Sequence, residues 1–525
     1  MIVVILHCHY ERGGVTQVVE NHVRALLQTQ QFERIVLASG QRISGLSEEI
    51  LKNIEWVGLE GFDYDDDDST VIDLATRQQR MMHELEVRFN ESGLHAENVL
   101  LHCHNHSLGK NTALPGVLHS LAVHGWRILL QVHDFAEDNR PENYQRLISA
   151  TNATDRKEID RYLYPIHNNI QYATLTTADA GVLEKLGVHR EQLHCIPNSV
   201  AVPQGDLLSS EDARAAVIDV MKLPQDARWG LYPVRGIRRK NVGELLLLGR
   251  WAGENRYLGL TLKPATAVEL RSYERWRRVA VEVSPRTVFD AGEKPGLSFL
   301  QNVLAADYVV STSVAEGFGM AFLEPWLLNR GVIARRLPTV TDDFERGGLD
   351  LESFYDSIPI PGNQAWITEC EQETLAAQKR AWKALPKDFQ PVIPESLDER
   401  DGTIDFARLT PARQVEVLKR MAADNGFERA AMELSKPLIS RLDRGFSESV
   451  LVSNARKVRE VYGASRIGES LLHAYQKLIR LENIACENES VLDDPAAGDS
   501  NTTMPSGIDL ISAFRTFFPC RTELL

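Results

Sequence analysis

Residues 308–324 read YVVSTSVAEGFGMAFLE and hold the pattern in this chain best suited to chemistry. A buried strand is predicted over Tyr308–Thr312. A glycine-rich turn follows, then a helix over Met320–Asn329, with Glu316 before the helix and Glu324 about two turns inside it. Gly317 and Gly319 permit close backbone approach, with Phe318 between them and Met320 after. A helix start offers unpaired N–H groups and a positive dipole end to phosphate. Carboxylates accept from paired hydroxyls, so a diphosphate between two hydroxyl-bearing rings suits the arrangement. Upstream, residues 235–241 read RGIRRKN, at the predicted carboxyl end of another strand. Arg235 and Lys240 make a second anion-binding element there. The bland alternatives, a strand–helix junction and a solvated basic turn, are each common, but both motifs fall at one edge of one sheet.

A third set is His7-Cys8-His9 with His102-Cys103-His104-Asn105-His106, both at predicted strand ends. Alternation puts His7 and His9 on one face, and His102, His104 and His106 on one face. These are metal-ligand types, yet polar lining of an acceptor cleft is the preferred reading. His104, His106, Lys110 and Asp134 are the candidate acceptor residues. No metal is assigned.

These residues need a frame, and the apolar runs supply one. Ile2–Leu6, Ile35–Ser39, Val99–His102, Ile128–Val132 and Ala173–Thr177 read as buried strands, with helices over Thr16–Gln28 and Ala178–Leu186. After a polar link near 202–227 the alternation restarts, with strands at Trp229–Val234, Leu258–Leu262, Thr287–Asp290, Tyr308–Thr312 and Gly331–Arg335. Repeated strand–helix alternation predicts doubly wound parallel sheets. The expected architecture is α/β, two Rossmann-like domains facing a cleft, with a helical C-terminal extension. The expected boundaries are 1–205, 226–345, an irregular insert at 346–430, helices at 431–487, and a mobile linker and tail at 488–525.

Length and charge limit the function classes. A chain of 525 residues exceeds one core. With 58 basic and 73 acidic residues the net charge is −15, which argues against a nucleic-acid or anionic-membrane partner. Six scattered cysteines without a CxxC pair fit reduced thiols in a cytoplasmic setting. No run approaches the roughly 20 apolar residues of a membrane helix. The acidic run Asp65–Asp68 reads as a solvated loop.

Taken together, Ala305-Ala306-Asp307, Glu316-Gly317-Phe318-Gly319 and Leu323-Glu324 resemble the "AD…EGFG…LE" run of the retaining GT-B glycosyltransferases of family 4. Arg235 and Lys240 match that family's "R…K" phosphate pair in spacing. Gly13-Gly14 resembles its "GG" loop. Residues 175–179 (LTTAD) and 196–200 (IPNSV) resemble "vt.S…IPNGV". The matches run in family order over about residues 1–340.

The resemblance implies that Arg235 and Lys240 bind the donor diphosphate and stabilise the departing nucleoside diphosphate. Glu316 contacts hydroxyls of the transferred sugar, and Glu324 holds the ribose. Phe318 and Gly319 lie close to sugar and phosphate. His133 faces the donor sugar. Gly13, Gly14 and Asn198 complete the donor set. It further implies a UDP- or GDP-sugar substrate, no required cofactor, a carbohydrate-type acceptor and retention by front-face attack, with homo-oligomerisation left open. Two departures stand out: Ser199 replaces a glycine, and Arg335-Arg336-Leu337-Pro338 replaces a Gly-Gly loop, a change expected to bear on acceptor choice and quaternary structure. A sugar-nucleotide epimerase and a non-catalytic scaffold share the fold and stay open. A dinucleotide oxidoreductase is disfavoured, since neither half carries G-x-G-x-x-G after its first strand.

Overall fold

The computed structural model describes residues 1–66, 72–202, 208–397, 402–485 and 505–525. Of the expected linker and tail at 488–525, residues 488–504 lie outside these, as does the second half of Asp65–Asp68. The chain divides into two compact units. One comprises Met1–Ser199, Lys383–Val392 and Tyr462–Arg515; the other comprises Val200–Trp382, Ile393–Val461 and Thr516–Leu525.

The first unit is built on a seven-stranded parallel sheet. Its strands are β1 (Ile2–Leu6), β2 (Arg34–Ser39), β3 (Glu55–Gly58), β4 (Val99–His104), β5 (Arg127–Val132), β6 (Ile170–Thr174) and β7 (Leu193–Cys195), in the order β3-β2-β1-β4-β5-β6-β7. Every residue of β1, β4, β5 and β6 is buried, because helices cover both faces and leave no polar side to alternate with. Strand order reverses between β1 and β4, so the loops leaving those strands diverge and open a crevice at their carboxyl ends. Helix α1 (Gly14–Thr29) sends Val19, Val23 and Leu26 into the core with Leu100 and Leu129. The helix Ala464–Ala485 packs on α1 and adds Leu471, Ala474 and Tyr475 to the same core.

Strand β6 begins and ends three residues before the sequence pattern places it. The reason is local: Thr176 caps the next helix, its hydroxyl accepting from the Asp179 N–H, so Leu175 and Thr176 leave the sheet. Strand β3, a four-residue edge strand that is only partly buried, has too short a pattern to stand out.

The second unit repeats the scheme with five parallel strands. They are β8 (Arg228–Arg235), β9 (Arg256–Leu262), β10 (Thr287–Val288), β11 (Tyr308–Ser311) and β12 (Gly331–Ala334), in the order β10-β9-β8-β11-β12. Here the reversal falls between β8 and β11. Leu245, Leu246, Leu247 and Leu248 of the helix Val242–Trp251 are all fully buried. Residues 346–430 carry the helices Gln364–Trp382 and Pro411–Ala423 and the antiparallel pair Pro359–Pro361 with Thr403–Asp405.

The predicted helix Met320–Asn329 is corrected by the structure. A 3₁₀ turn spans Met320–Phe322 and a separate short helix spans Glu324–Leu327, so Glu324 opens a helix rather than sitting two turns inside one. Pro325 explains the break: its ring would clash with the carbonyl four residues back, but the first turn of a new helix accepts it.

Arg335, in place of the expected Gly-Gly loop, is buried and tied down on all sides. Its guanidinium donates to both Glu244 oxygens (2.9 and 2.7 Å), to Asp405 (2.8 and 3.0 Å) and to the Asp356 carbonyl (3.0 Å). The Tyr355 hydroxyl adds a bond to Glu244 at 2.6 Å. This arginine joins the helix Val242–Trp251 to the strand Thr403–Asp405, so the departure fastens the second unit internally. Among the described residues no helix is long and apolar enough to cross a membrane.

Candidate active site

In the second unit the loops leaving β8 and β11 meet at the strand-order reversal. The loop after β8 is held in place by its backbone. Val314 N–H donates to the Arg239 carbonyl (3.0 Å), and the hydroxyls of Thr312 (2.9 Å) and Tyr232 (3.2 Å) donate to the Lys240 carbonyl. This anchoring carries the Lys240 ammonium to Glu316, with which it forms a direct ion pair. Arg239 completes the cluster, donating to Glu316 Oε2 at 2.7 Å and to the Ala315 carbonyl at 2.8 Å. The Lys240 and Glu316 side chains are each only 9% exposed.

Burial alone would raise the Glu316 carboxyl, but the charges of Lys240 and Arg239 outweigh it and hold the pKa at about 2. Burial pulls Lys240 down while Glu316 pulls it up, and the pair is ionised. Glu316 is therefore an acceptor of hydrogen bonds and no source of protons at neutral pH.

The four cations of residues 235–240 have three different situations. Arg238 is committed to Glu269 (2.7 Å) and to the Thr522 carbonyl (3.2 Å). Arg239 and Lys240 share Glu316. Arg235, at the end of β8, is exposed and donates to the Lys263 carbonyl at 3.4 Å, with no carboxylate partner among the described residues. Spacing alone does not single out Arg239. The signal available was the adjacency of three cations where a strand hands over to a helix.

Glycine is required at 319 on two counts: its φ is +85°, and an added Cβ would lie 2.4 Å from the Phe322 ring. Phe318 is buried and meets Phe344 edge-on at 5.8 Å. Gly317 and Met320 are half-buried. Glu324 has no cation partner among the described residues, and burial raises its carboxyl to about 7. The two glutamates thus differ: one is a paired anion, the other a carboxyl poised near neutrality.

In the first unit, Gly13 and Gly14 form the exposed start of α1, where no side chain caps the free N–H groups. A Cβ at Gly14 would meet nothing within 4 Å. No protein atom demands glycine there, and the bare backbone stays open to an approaching group. Asn21 of α1 donates to the Ser199 carbonyl (3.2 Å), linking this helix to the loop that holds Asn198. Asn198 is buried, and its Oδ1 has no hydrogen-bond partner among the described residues.

His133 follows β5 directly and is buried, and its Nε2 lies 2.8 Å from His104 Nδ1. Burial lowers His133 to about 4, so it is a neutral imidazole near pH 7. His106 departs from the expected grouping with His102 and His104. It sits in a 3₁₀ turn after Asn105, whose left-handed backbone (φ +59°) ends the alternation, and its Nε2 bonds the Leu163 carbonyl at 2.9 Å.

Lys110 lies over the Tyr64 ring at 4.8 Å, and His9 meets the same ring edge-on at 4.5 Å. Asp134 is paired with Arg140 at 2.6 Å. Asp134 neutralises Arg140, and burial and Arg140 both lower Lys110.

No protein-family model matches the chain. It is 31% identical over 369 residues, 68% of each chain, to mannosylglucosyl-3-phosphoglycerate synthase of Petrotoga mobilis. Among solved structures it is similar to a glycosyltransferase from Rickettsia africae, with a TM-score of 0.56 at 11% identity over 91% of this chain and 99% of that one. It is also similar to sucrose-phosphate synthase from Thermosynechococcus elongatus, with a TM-score of 0.52 at 13% identity over 91% and 100%.

Proposed function

This chain belongs to the GT-B glycosyltransferases of the group 1, family 4 kind, and from that premise we propose that it moves a hexosyl group from a UDP- or GDP-sugar to an anionic, carbohydrate-type acceptor with retention of configuration. The observation that carries this reading is the Lys240–Glu316–Arg239 cluster at the β8/β11 reversal. Transfer builds negative charge on the departing diphosphate, and preorganised cations at that point lower the barrier. Lys240, with exposed Arg235 beside the same strand end, meets that charge without a metal at the phosphate.

The pKa of Glu316 supports a binding role: a carboxylate that stays ionised accepts from sugar hydroxyls and does not protonate a leaving group. Phe318 and Gly319 bring backbone N–H groups to sugar and phosphate, and Glu324 accepts from the ribose hydroxyls. A neutral His133 faces the sugar as a hydrogen-bond partner. The Gly13-Gly14 helix start in the first unit receives a phosphate or the acceptor. Retention follows from attack on the face the diphosphate leaves.

The Petrotoga mobilis relative is named for a product that carries phosphoglycerate. An acceptor of that anionic class suits Lys110, with Asp134 in its polar surroundings. Incubating the chain with a panel of nucleotide sugars and phosphoglycerate glycosides, with proton NMR of the product, tests the reading. One donor is expected to give a product of the donor's own anomeric configuration; an inverted product, or sugar interconversion without nucleotide release, would overturn it.

A further inference from the structure

Beneath α1, on the covered face of the first sheet, three imidazoles converge. His22 comes from α1, and His102 and His104 come from β4, two residues apart and therefore on the same face. All three are fully buried. The ring centroids are 4.3 Å apart for His102 and His104, 5.4 Å for His22 and His104, and 5.8 Å for His22 and His102. One nitrogen from each can be chosen so that all lie within 4.8 Å of one another.

The hydrogen bonding of this cluster is incomplete in an informative way. Neither His22 nitrogen, nor His104 Nε2, has a partner among the described residues, although all are sealed from solvent. Buried polar atoms are nearly always paired, so three orphans side by side call for a ligand. The other contacts are those of a ligand set. His104 Nδ1 lies 2.8 Å from His133 Nε2, and His102 Nε2 lies 2.9 Å from Gln131 Oε1. The Gln131 carbonyl oxygen is an acceptor, so His102 carries its proton on Nε2, and its Nδ1 lone pair accepts from the Tyr475 hydroxyl at 2.8 Å, a bond the ion would replace. A metal-bound histidine characteristically gives its second N–H to such an acceptor.

We propose that His22, His102 and His104 bind a divalent transition-metal ion, Zn²⁺ by preference, that fastens α1 to the sheet at the β1/β4 reversal. Three neutral nitrogens and no carboxylate suit Zn²⁺ and exclude Mg²⁺ and Ca²⁺, which take oxygen ligands. Zinc–nitrogen bonds of about 2.0–2.1 Å in a tetrahedron set nitrogens about 3.3 Å apart, so the ion draws the rings inward. Three imidazoles leave one tetrahedral position for a small oxygen ligand. An ion on His104 Nε2 also fixes that ring's proton on Nδ1, making His133 Nε2 the acceptor of the bond between them. The metal is thereby a positioning element for His133.

The test uses the full chain, stripped with a chelator and reloaded with either Zn²⁺ or Co²⁺. About one Zn²⁺ per chain is expected to survive gel filtration and to raise Tm by several degrees. The Co²⁺ form should show the strong visible absorption of a tetrahedral site, and His22→Gln should lose both the metal and that band. Less than about 0.1 Zn²⁺ per chain after reloading, with no Co²⁺ band in the wild type, would overturn the proposal whatever the variant does. Metal and band retained in a folded His22→Gln would overturn it as well.

Discussion

The two strand-order reversals of this protein have the same geometry and opposite chemistry. At β8/β11 the second unit gathers full charges, Lys240 and Arg239 against Glu316, and pairs them before any ligand arrives. At β1/β4 the first unit gathers neutral imidazoles, His102 and His104 on β4 with His133 beside them after β5, whose ionisation burial has suppressed. The topology creates a crevice in both cases, but the residues at the strand ends decide whether it stabilises developing charge or orients polar groups. The charged reversal is suited to a leaving diphosphate, and the neutral one to groups that must be placed without being titrated.

The largest expected effect comes from breaking the charged side. Lys240→Ala should reduce turnover by about 100- to 1,000-fold, the usual scale for removing one preorganised electrostatic partner. It also leaves Glu316 with Arg239 alone and should lower Tm. Lys240→Met with Glu316→Gln should recover stability, because both buried charges are gone, while turnover stays lost. Parallel kinetics and thermal unfolding of the two proteins separate catalysis from folding.

Next comes acid unfolding. The folded pKa of Glu316, about 2, lies below its ordinary 4.5, so the stability it contributes is present above about 4.5 and is lost as pH falls towards 2. The amount is about 3 kcal/mol. Urea midpoints measured between those pH values should fall less steeply in Glu316→Gln. The buried histidines act in the opposite sense to a paired histidine: their pKa values are lowered, so protonating them on acidification also destabilises the fold. The Glu316→Gln comparison isolates the carboxyl's share from theirs.

A smaller effect concerns Glu324. Its carboxyl titrates at about 7, and ribose hydroxyls favour the ionised form. Below pH 7, donor binding must expel a proton, and the Kd should rise about tenfold per pH unit; above pH 7 it should level off. Glu324→Gln should weaken binding and flatten this profile. The mildest change is Gly14→Ala. With open space around the position, stability should shift by less than about 0.5 kcal/mol, while KM for donor or acceptor rises severalfold if a ligand approaches that backbone.

The fold was largely legible because buried parallel strands write themselves as unbroken apolar runs: β1 falls where the pattern puts it, and β12 ends one residue short of it. Glu316 and Lys240 were legible because their spacing is local. What escaped depends on tertiary contact. Arg239 gains its role only because the β11 exit folds back on it. His22 looks like one more residue on the apolar face of α1 until β4 places His102 and His104 beneath it. Arg335 stood out only as a departure from a Gly-Gly loop, since nothing near it in sequence announces Glu244 or Asp405. The helix at 320–329 failed for a local reason, the weight of Pro325 against an otherwise apolar, helical stretch.

The charged reversal of the second unit is proposed to bind the diphosphate of a nucleotide sugar. Calorimetric titration of the wild type and Lys240→Ala with UDP- and GDP-sugars tests it most directly. One of the two nucleotides is expected to bind the wild type, and Lys240→Ala to weaken this by about 100-fold, near 3 kcal/mol. Equal affinity in both proteins, or no binding of either nucleotide to a folded wild type, would contradict it.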